Sequence, residues 1–253
     1  MNEAKCISKG PCPACNSSDA NALYDDGHSY CFSCETRFDN DSKVIPMTNQ
    51  KSSGLRTSGE VSAIDDRHIT RETTKAFNVE VIKSGSTITH HIYKYFDTDG
   101  NHTANKIRDV QDKRFWSEGN VGTSLLFGEN MFSNGGKYIT VCEGEIDAMS
   151  VWQMNGKYPT VSIKNGAASA LENCKKAFEY LNKFDTVVLC FDNDDPGRKA
   201  AQSVAKIFEP NKCKIVTLEL KDANEYLKVS KREQFMKEWW NAKPYTPAGI
   251  INL

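Results

Sequence analysis

The apolar positions of this chain change rhythm near residue 138. Beyond it, short apolar runs alternate with stretches of helical period. "YITVC" runs up to Glu143, and a helix is expected over about 145–155. "TVSI" precedes an expected helix over about 167–182, and "TVVLCF" runs up to Asp192. Another helix starts near Pro196, a favourable first helical position, with Asp195 as its cap. "CKIVTLEL" reads as one more strand, and residues 231–240 as a last helix. Short apolar strands separated by helices predict a mostly parallel α/β sheet, whose functional sites lie beyond the carboxyl ends of the strands. Upstream the pattern differs. Residues 66–77 have a helical period. In 87–96, Ile88, His90 and Ile92 alternate with Thr89, His91 and Tyr93, which predicts a strand. "DTDGNH" is then a hairpin turn and 103–110 the return strand.

Residues 47–60, "MTNQKSSGLRTSGE", are polar and without apolar period. They predict a flexible linker with an average span of roughly 20 Å. The organisation expected is a small module at 1–46, the linker 47–60, an α/β domain at 61–245, and a tail, 246–253, leading into a further domain.

Composition narrows this picture only a little. The 253 residues suit one large or two small domains, and 39% hydrophobic with 26% charged residues suits a soluble globular chain. No apolar run approaches the ~18 residues of a membrane span. "MNEAKCISKG" lacks the apolar core of a signal peptide. An intracellular protein with no membrane partner is expected. The net charge of −1 says little about partners, because local clusters matter more than the sum.

The cysteines carry more information. Five of the nine fall in the first 34 residues, and four of these pair as Cys12-Pro-Ala-Cys15 and Cys31-Phe-Ser-Cys34, with fifteen residues between the pairs. Each C-x-x-C aims two sulfurs at one point, and this spacing is that of a four-thiolate structural zinc site; a reactive dithiol is the other reading. So short a segment buries little, so metal binding would supply much of its folding energy. His28, in "DDGHSY", is not needed to complete a tetrahedron of sulfurs. A turn at Asp26-Gly27 would project it outward.

Two acidic clusters follow expected strands: Glu143-Gly144-Glu145-Ile146-Asp147 and Asp192-Asn193-Asp194-Asp195. If those strands are neighbours, Glu143, Asp192 and Asp194 converge. Hard oxygen ligands of that kind select Mg²⁺ or Mn²⁺. The competing reading is that such acids merely cap helices; it suits Glu145, Asp147 and Asp195, in or near first turns. Lys106, Arg108, Lys113 and Arg114 form a basic stretch, and Arg198 opens a helix just past the second cluster.

At this point the residues resemble a family. E-G-x-x-D after one strand and D-x-D-x-x-G-R after another resemble the Toprim domain over roughly 137–220. The zinc-type cysteines narrow the likeness to bacterial-type primases. "DGHSYCFSC", "NKIRD", "LLFGENMF", "CEGEIDAM", "FDNDDPGRKA" and "KDANE" resemble the primase half of the bifunctional primase–helicases of T-seven-like bacteriophages. The resemblance implies a small zinc-ribbon β domain linked to a Toprim-containing α/β catalytic domain. It implies DNA-templated synthesis of short RNA primers from ribonucleoside triphosphates on single-stranded DNA. The catalytic Mg²⁺ or Mn²⁺ would be held by Glu143, Asp192 and Asp194, and one structural zinc by Cys12, Cys15, Cys31 and Cys34. Asp222, in "KDANE", matches a further family acid or caps a helix. Lys106 and Lys113 match lysines that contact nucleotide, with Lys113 and Arg114 interchangeable across an inserted residue; from the residues alone, Arg108 belongs to a basic stretch that meets the triphosphate or is a solvated surface, and Arg198 faces phosphate or simply solvent. Asp26 and His28 would help the zinc module read the template. The implied partners are a hexameric helicase, covalently linked or associated, and the replicative DNA polymerase that receives the primer, in the cytoplasm of a bacterial host. Two other readings stay open: a non-catalytic Toprim and zinc module of a helicase, and a Toprim nuclease or topoisomerase.

Overall fold

Two units make up the protein, Met1–Ser52 and Ser53–Leu253. The structure, a computed structural model, describes residues 5–12, 20–32, 36–38 and 55–246.

The first unit is an antiparallel sheet in chain order: β1 (Cys6–Gly10), β2 (Asn21–Tyr24), β3 (Ser29–Cys31) and β4 (Arg37–Phe38). Gly27, at φ 86°, makes the turn between β2 and β3 that only glycine adopts freely. Among the described residues, its buried apolar side chains are Cys12, Ala22 and Cys31. Cys15 and Cys34 lie outside the described residues.

The second unit holds two sheets. After α1 (Arg71–Ala76), capped by the Thr70 hydroxyl, β5 (Val79–Ser84), β6 (Thr87–Phe96), β7 (His102–Asp109) and β8 (Phe115–Gly119) form an antiparallel sheet in chain order. The chain then alternates: β9 (Gly136–Cys142), α2 (Glu145–Met154), β10 (Thr160–Ser162), α3 (Ala170–Lys176), α4 (Phe178–Asn182), β11 (Phe184–Cys190), α5 (Asp195–Ala205), β12 (Cys213–Ile215), α6 (Ala223–Lys228), α7 (Arg232–Trp240) and β13 (Lys243–Pro244). The second sheet has the order β10-β9-β11-β12-β13, parallel except for β13 at its edge.

The central strands β9 and β11 are buried over their carboxyl-terminal halves, and mostly apolar there, because both faces are covered. Cys142, Val188 and Cys190 share a core with Met149 of α2, Tyr226 of α6 and Phe235 of α7. Ile139, Val141, Val187 and Leu189 face the other way, toward Cys174 of α3, Leu181 of α4 and Val204 of α5. The antiparallel sheet contributes Val79, Val81, Tyr93 and Tyr95 to the first of these cores. Phe127 joins the two sheets: its ring lies 5.3 Å from Phe77 and 5.9 Å from both Tyr93 and Tyr95. The antiparallel sheet is thereby fixed against α2, which begins at the first acidic cluster.

Several expected elements differ in the structure. The helix expected over 66–77 is a 3-10 turn at Asp65–Arg67, a left-handed His68, and then α1. That expected over 167–182 breaks at Ala177, which turns Tyr180 and Leu181 inward. "CKIVTLEL" leaves the sheet after Ile215, because β11 has ended, and crosses the sheet's end with Val216 and Leu218 buried. The cap of α5 is Asp194, not Asp195. The linker expected over 47–60 does not include 55–60. The Thr57 amide donates to Glu118 (3.0 Å), its carbonyl accepts from Asn105 (3.1 Å), and Glu60 bridges to Val81. The rest of that segment, 47–54, lies outside the described residues, as do 247–253 of the expected tail. Among the described residues no helix is long and apolar enough to cross a membrane.

Candidate active site

β9 and β11 lie side by side, with Cys142 level with Cys190. The residues that leave their carboxyl ends are Glu143 and, after Phe191, Asp192, so both acidic clusters emerge at one end of the sheet. Glu143 Oε1 accepts from the Ala167 amide (3.1 Å), while its Oε2 is buried without a hydrogen-bond partner. Asp194 Oδ1 accepts from the Gly197 amide (2.8 Å), which starts α5. Gly197 is required there: a Cβ would stand 2.3 Å from the Asp192 carbonyl oxygen. The glycine of the second acidic motif thus lets α5 begin directly against the strand end. Asp147, in the first turn of α2, accepts from the Asn224 amide (3.2 Å), and Asp222 caps α6 by accepting from the Glu225 amide (2.9 Å).

The carboxylates raise one another's proton affinity. Burial, followed by the charges of Glu143 and Asp222, pushes Asp192 up to about 7. Burial, then Asp222 and Asp192, holds Asp147 well above the usual carboxylate range. Glu143 is also raised, chiefly by burial. Asp147 therefore belongs to the acidic group as well as to its helix. The E-G-x-x-D spacing carried that signal, since Glu143 and Asp147 stand four residues apart. Among the described residues no three such side chains are arranged as an ion's ligands. Glu143 and Asp194 each commit an oxygen to a neighbouring backbone amide. The donor chemistry nonetheless fits a hard divalent cation: carboxylate oxygens only, one of them buried and unpartnered, in a group whose negative charge is costly until neutralised.

A pH dependence follows. Asp192 takes its proton near pH 7 when folded and near pH 4 when unfolded, so between those values the native state holds more protons. Its contribution to stability is present below pH 4 and is lost as pH rises through 7. The cost is on the order of a few kcal/mol. Thermal unfolding without divalent metal is expected to drop by several degrees between pH 5 and pH 8. Magnesium should restore the difference at pH 8 and do little at pH 5. An equal magnesium shift at both values would contradict this origin.

Beside the acids opens a cleft of about 530 Å³ between the antiparallel sheet and the starts of α2 and α6, lined by Arg67, Tyr93, Arg108, Lys113, Phe115, Glu145, Asp147, Lys221 and Asp222, among others. Lys113 lines it, in a left-handed conformation (φ 57°), whereas Arg114 turns to Asp112 (2.6 Å). Lys106 is committed elsewhere: its ammonium donates to Glu145 Oε1 (2.7 Å) and to the Lys164 carbonyl (2.6 Å). With side chains only 12% and 5% exposed, this ion pair fastens β7 to α2, and one N–H of the ammonium remains for a ligand. No pattern in the chain announces this pair, which joins residues 39 apart. Arg198 bonds to Asn193 (2.8 Å) and Asp195 (2.5 Å) at the exposed start of α5. Lys221, exposed at the cleft, was missed because it follows a stretch read wholly as strand.

In the first unit, His28 Nδ1 bonds to Asp26, and the imidazole stacks on Tyr24 at 4.4 Å. The His28 side chain is only 15% exposed, less outward than its turn suggested. Pairing Nδ1 with a carboxylate fixes the ring and leaves Nε2 as the acceptor in the neutral form.

The Toprim-like family matches residues 140–227. The chain is 33% identical over 256 residues, 96% of its length, to a DNA helicase/primase of Enterobacteria phage T3, and spans 45% of that relative's length. It resembles the crystal structure of the primase fragment of the bacteriophage T7 primase-helicase protein at 33% identity and a TM-score of 0.65, covering 93% of this chain and 100% of that one. It also resembles primase domains of bacteriophage T7, solved with the lagging-strand DNA polymerase and bound to an RNA/DNA hybrid and dTTP. That match has 35% identity and a TM-score of 0.67, over 74% of this chain and 94% of that one.

Proposed function

This chain belongs to the family of the primase fragment of the phage T7-type primase–helicase, and on that premise we propose that it is a DNA primase that joins ribonucleoside triphosphates into short RNA on single-stranded DNA. The observation that carries the reading is the acidic group at the ends of β9 and β11, with Asp192 at about 7, beside a cleft walled by Arg67, Arg108, Lys113 and Lys221. Glu143, Asp192, Asp194 and Asp222, with Asp147 beside them, would hold Mg²⁺ or Mn²⁺. Such a cation supplies charge neutralisation at the α-phosphate and the departing pyrophosphate. The basic side chains bind the triphosphate and orient it beside the acids. Lys106 acts mainly by holding β7, and so Arg108, in place. Arg198 stands at the mouth of the site beside Asp194.

The first unit is proposed to hold one structural zinc through Cys12, Cys15, Cys31 and Cys34. Two of these thiols are what its described sheet buries, so a metal is the available source of folding energy. Asp26 and the oriented His28 offer an acceptor and a ring edge for template bases. A helicase and the DNA polymerase that extends the primer are the partners proposed, in the cytoplasm of a phage host.

The test is incubation of the chain with template oligonucleotide, Mg²⁺ and labelled ribonucleotides. Short template-dependent RNA is expected. Binding of the oligonucleotide without synthesis, or its cleavage, would overturn the reading.

A further inference from the structure

We propose that Phe115 is a platform on which the base of the bound ribonucleotide stacks, an inference that rests on the nucleotide-polymerising reading above. β8 is the edge strand of the antiparallel sheet, and its two aromatic residues face opposite ways. Trp116 meets His90 on the far face (5.4 Å), whereas Phe115 lines the cleft and is 52% exposed. Its exposed ring is apolar surface that a ligand entering this polar cleft would cover favourably.

Its neighbours say which ligand. Lys106 Nζ lies 4.9 Å and Arg108 Cζ 5.8 Å from the ring centroid. The Lys106 ammonium is already engaged by Glu145 and the Lys164 carbonyl, but Arg108 Nε is buried without a hydrogen-bond partner. A half-exposed ring beside a guanidinium that lines the same cleft is the pairing that receives a base and a phosphate together. Asp147 and Asp222 line the same cleft, so a nucleotide stacked on the ring would have its phosphates within the acidic end of the site. The volume, about 530 Å³, accommodates a single nucleotide.

The bland role for Phe115 is to cover the stems of Lys106 and Arg108, and leucine would serve that as well. The test therefore compares Phe115→Leu with Phe115→Tyr. Affinities for GTP, ATP, inorganic tripolyphosphate and a template oligonucleotide are measured with Mg²⁺ present. Phe115→Leu should weaken both nucleotides about tenfold, leave tripolyphosphate unchanged and raise KM in primer synthesis with little change in kcat. Phe115→Tyr should match the parent protein. Unchanged nucleotide binding, equal loss of nucleotide and tripolyphosphate, loss confined to the oligonucleotide, or no nucleotide binding by the parent protein would each overturn the platform. The two readings fail separately. A chain that makes RNA but binds nucleotide equally well after the Phe115→Leu change loses the platform alone. A chain with Phe115-dependent nucleotide binding and no RNA product loses the polymerase reading alone.

Discussion

Asp192→Asn is expected to lower primer synthesis about a thousandfold and, in the same protein, to raise the melting temperature of the metal-free chain at pH 8. The two signs come from one cause. In the parent chain Asp192 is partly buried beside Glu143 and Asp222, and those charges with burial push it up to about 7. At pH 8 the carboxylate is ionised against their repulsion. Asparagine keeps the volume and removes the charge, so the fold is relieved while the site loses a ligand and the negative potential that would attract a divalent cation. Removing a group that acts on charge developing in the transition state typically costs 10²–10³ in kcat, and a metal ligand stands at the upper end of about that range. The measurements are RNA product per unit time and thermal unfolding at pH 5 and pH 8, with and without magnesium. The variant should lose less of its melting temperature between pH 5 and pH 8 than the parent chain, the remainder coming from Asp147 and Glu143, and respond weakly to magnesium. Full activity would remove Asp192 from the chemistry. Loss of activity with loss of stability would make it a structural residue.

The parallel sheet was legible because strands covered on both faces carry nearly continuous apolar runs, so "YITVC" and "TVVLCF" could be read without alternation. Their turn-to-helix transitions were legible too, since acids, glycine and proline have few other uses after a strand. What the chain order did not reveal was partnership. Cys142 beside Cys190 is a matter of strand order, and the whole acidic group depends on it. Lys106 reads as one of four cations in a row until β7 is laid against α2, where Glu145 takes its ammonium. The same is true of β8: "FWSEG" has almost no buried position and pairs along one edge only, so no period betrays it. Residues 55–60 are polar because they hydrogen-bond to the sheet surface through backbone and hydroxyl groups, and polarity of that origin looks identical to a linker. Asp194 and Asp195 are both good caps; Asp194 takes the role because Gly197 allows the helix to start one residue earlier, against Asp192.

Cys31→Ser is expected to separate the two units functionally: loss of the bound zinc, about a hundredfold loss of template-directed initiation, and extension of a supplied RNA primer within about threefold of the parent protein. The first unit's described sheet is short-stranded, and besides Ala22 its buried apolar side chains are Cys12 and Cys31, 1% and 0% exposed. Cys31 ends β3, opposite Asn21 of β2, so its sulfur sits where the sheet closes. Structural zinc sites release about 10–16 kcal/mol of apparent binding energy at neutral pH, far more than so small an apolar interior supplies. Serine is close in size but is a poor zinc ligand at neutral pH, so the substitution tests metal holding rather than bulk. Asp26 and His28, in the turn between β2 and β3, would lose their fixed orientation when that sheet loosens. The acidic group belongs to the second unit, whose cores are built from that unit's own residues. Metal content by atomic emission, initiation on a single-stranded template and extension of an annealed RNA primer are the three readouts. Zinc retained at one per chain would exclude Cys31 as a ligand. Equal loss of initiation and extension would mean that the first unit serves the chemical step as well as the choice of template, and the division of labour between the units would have to be given up.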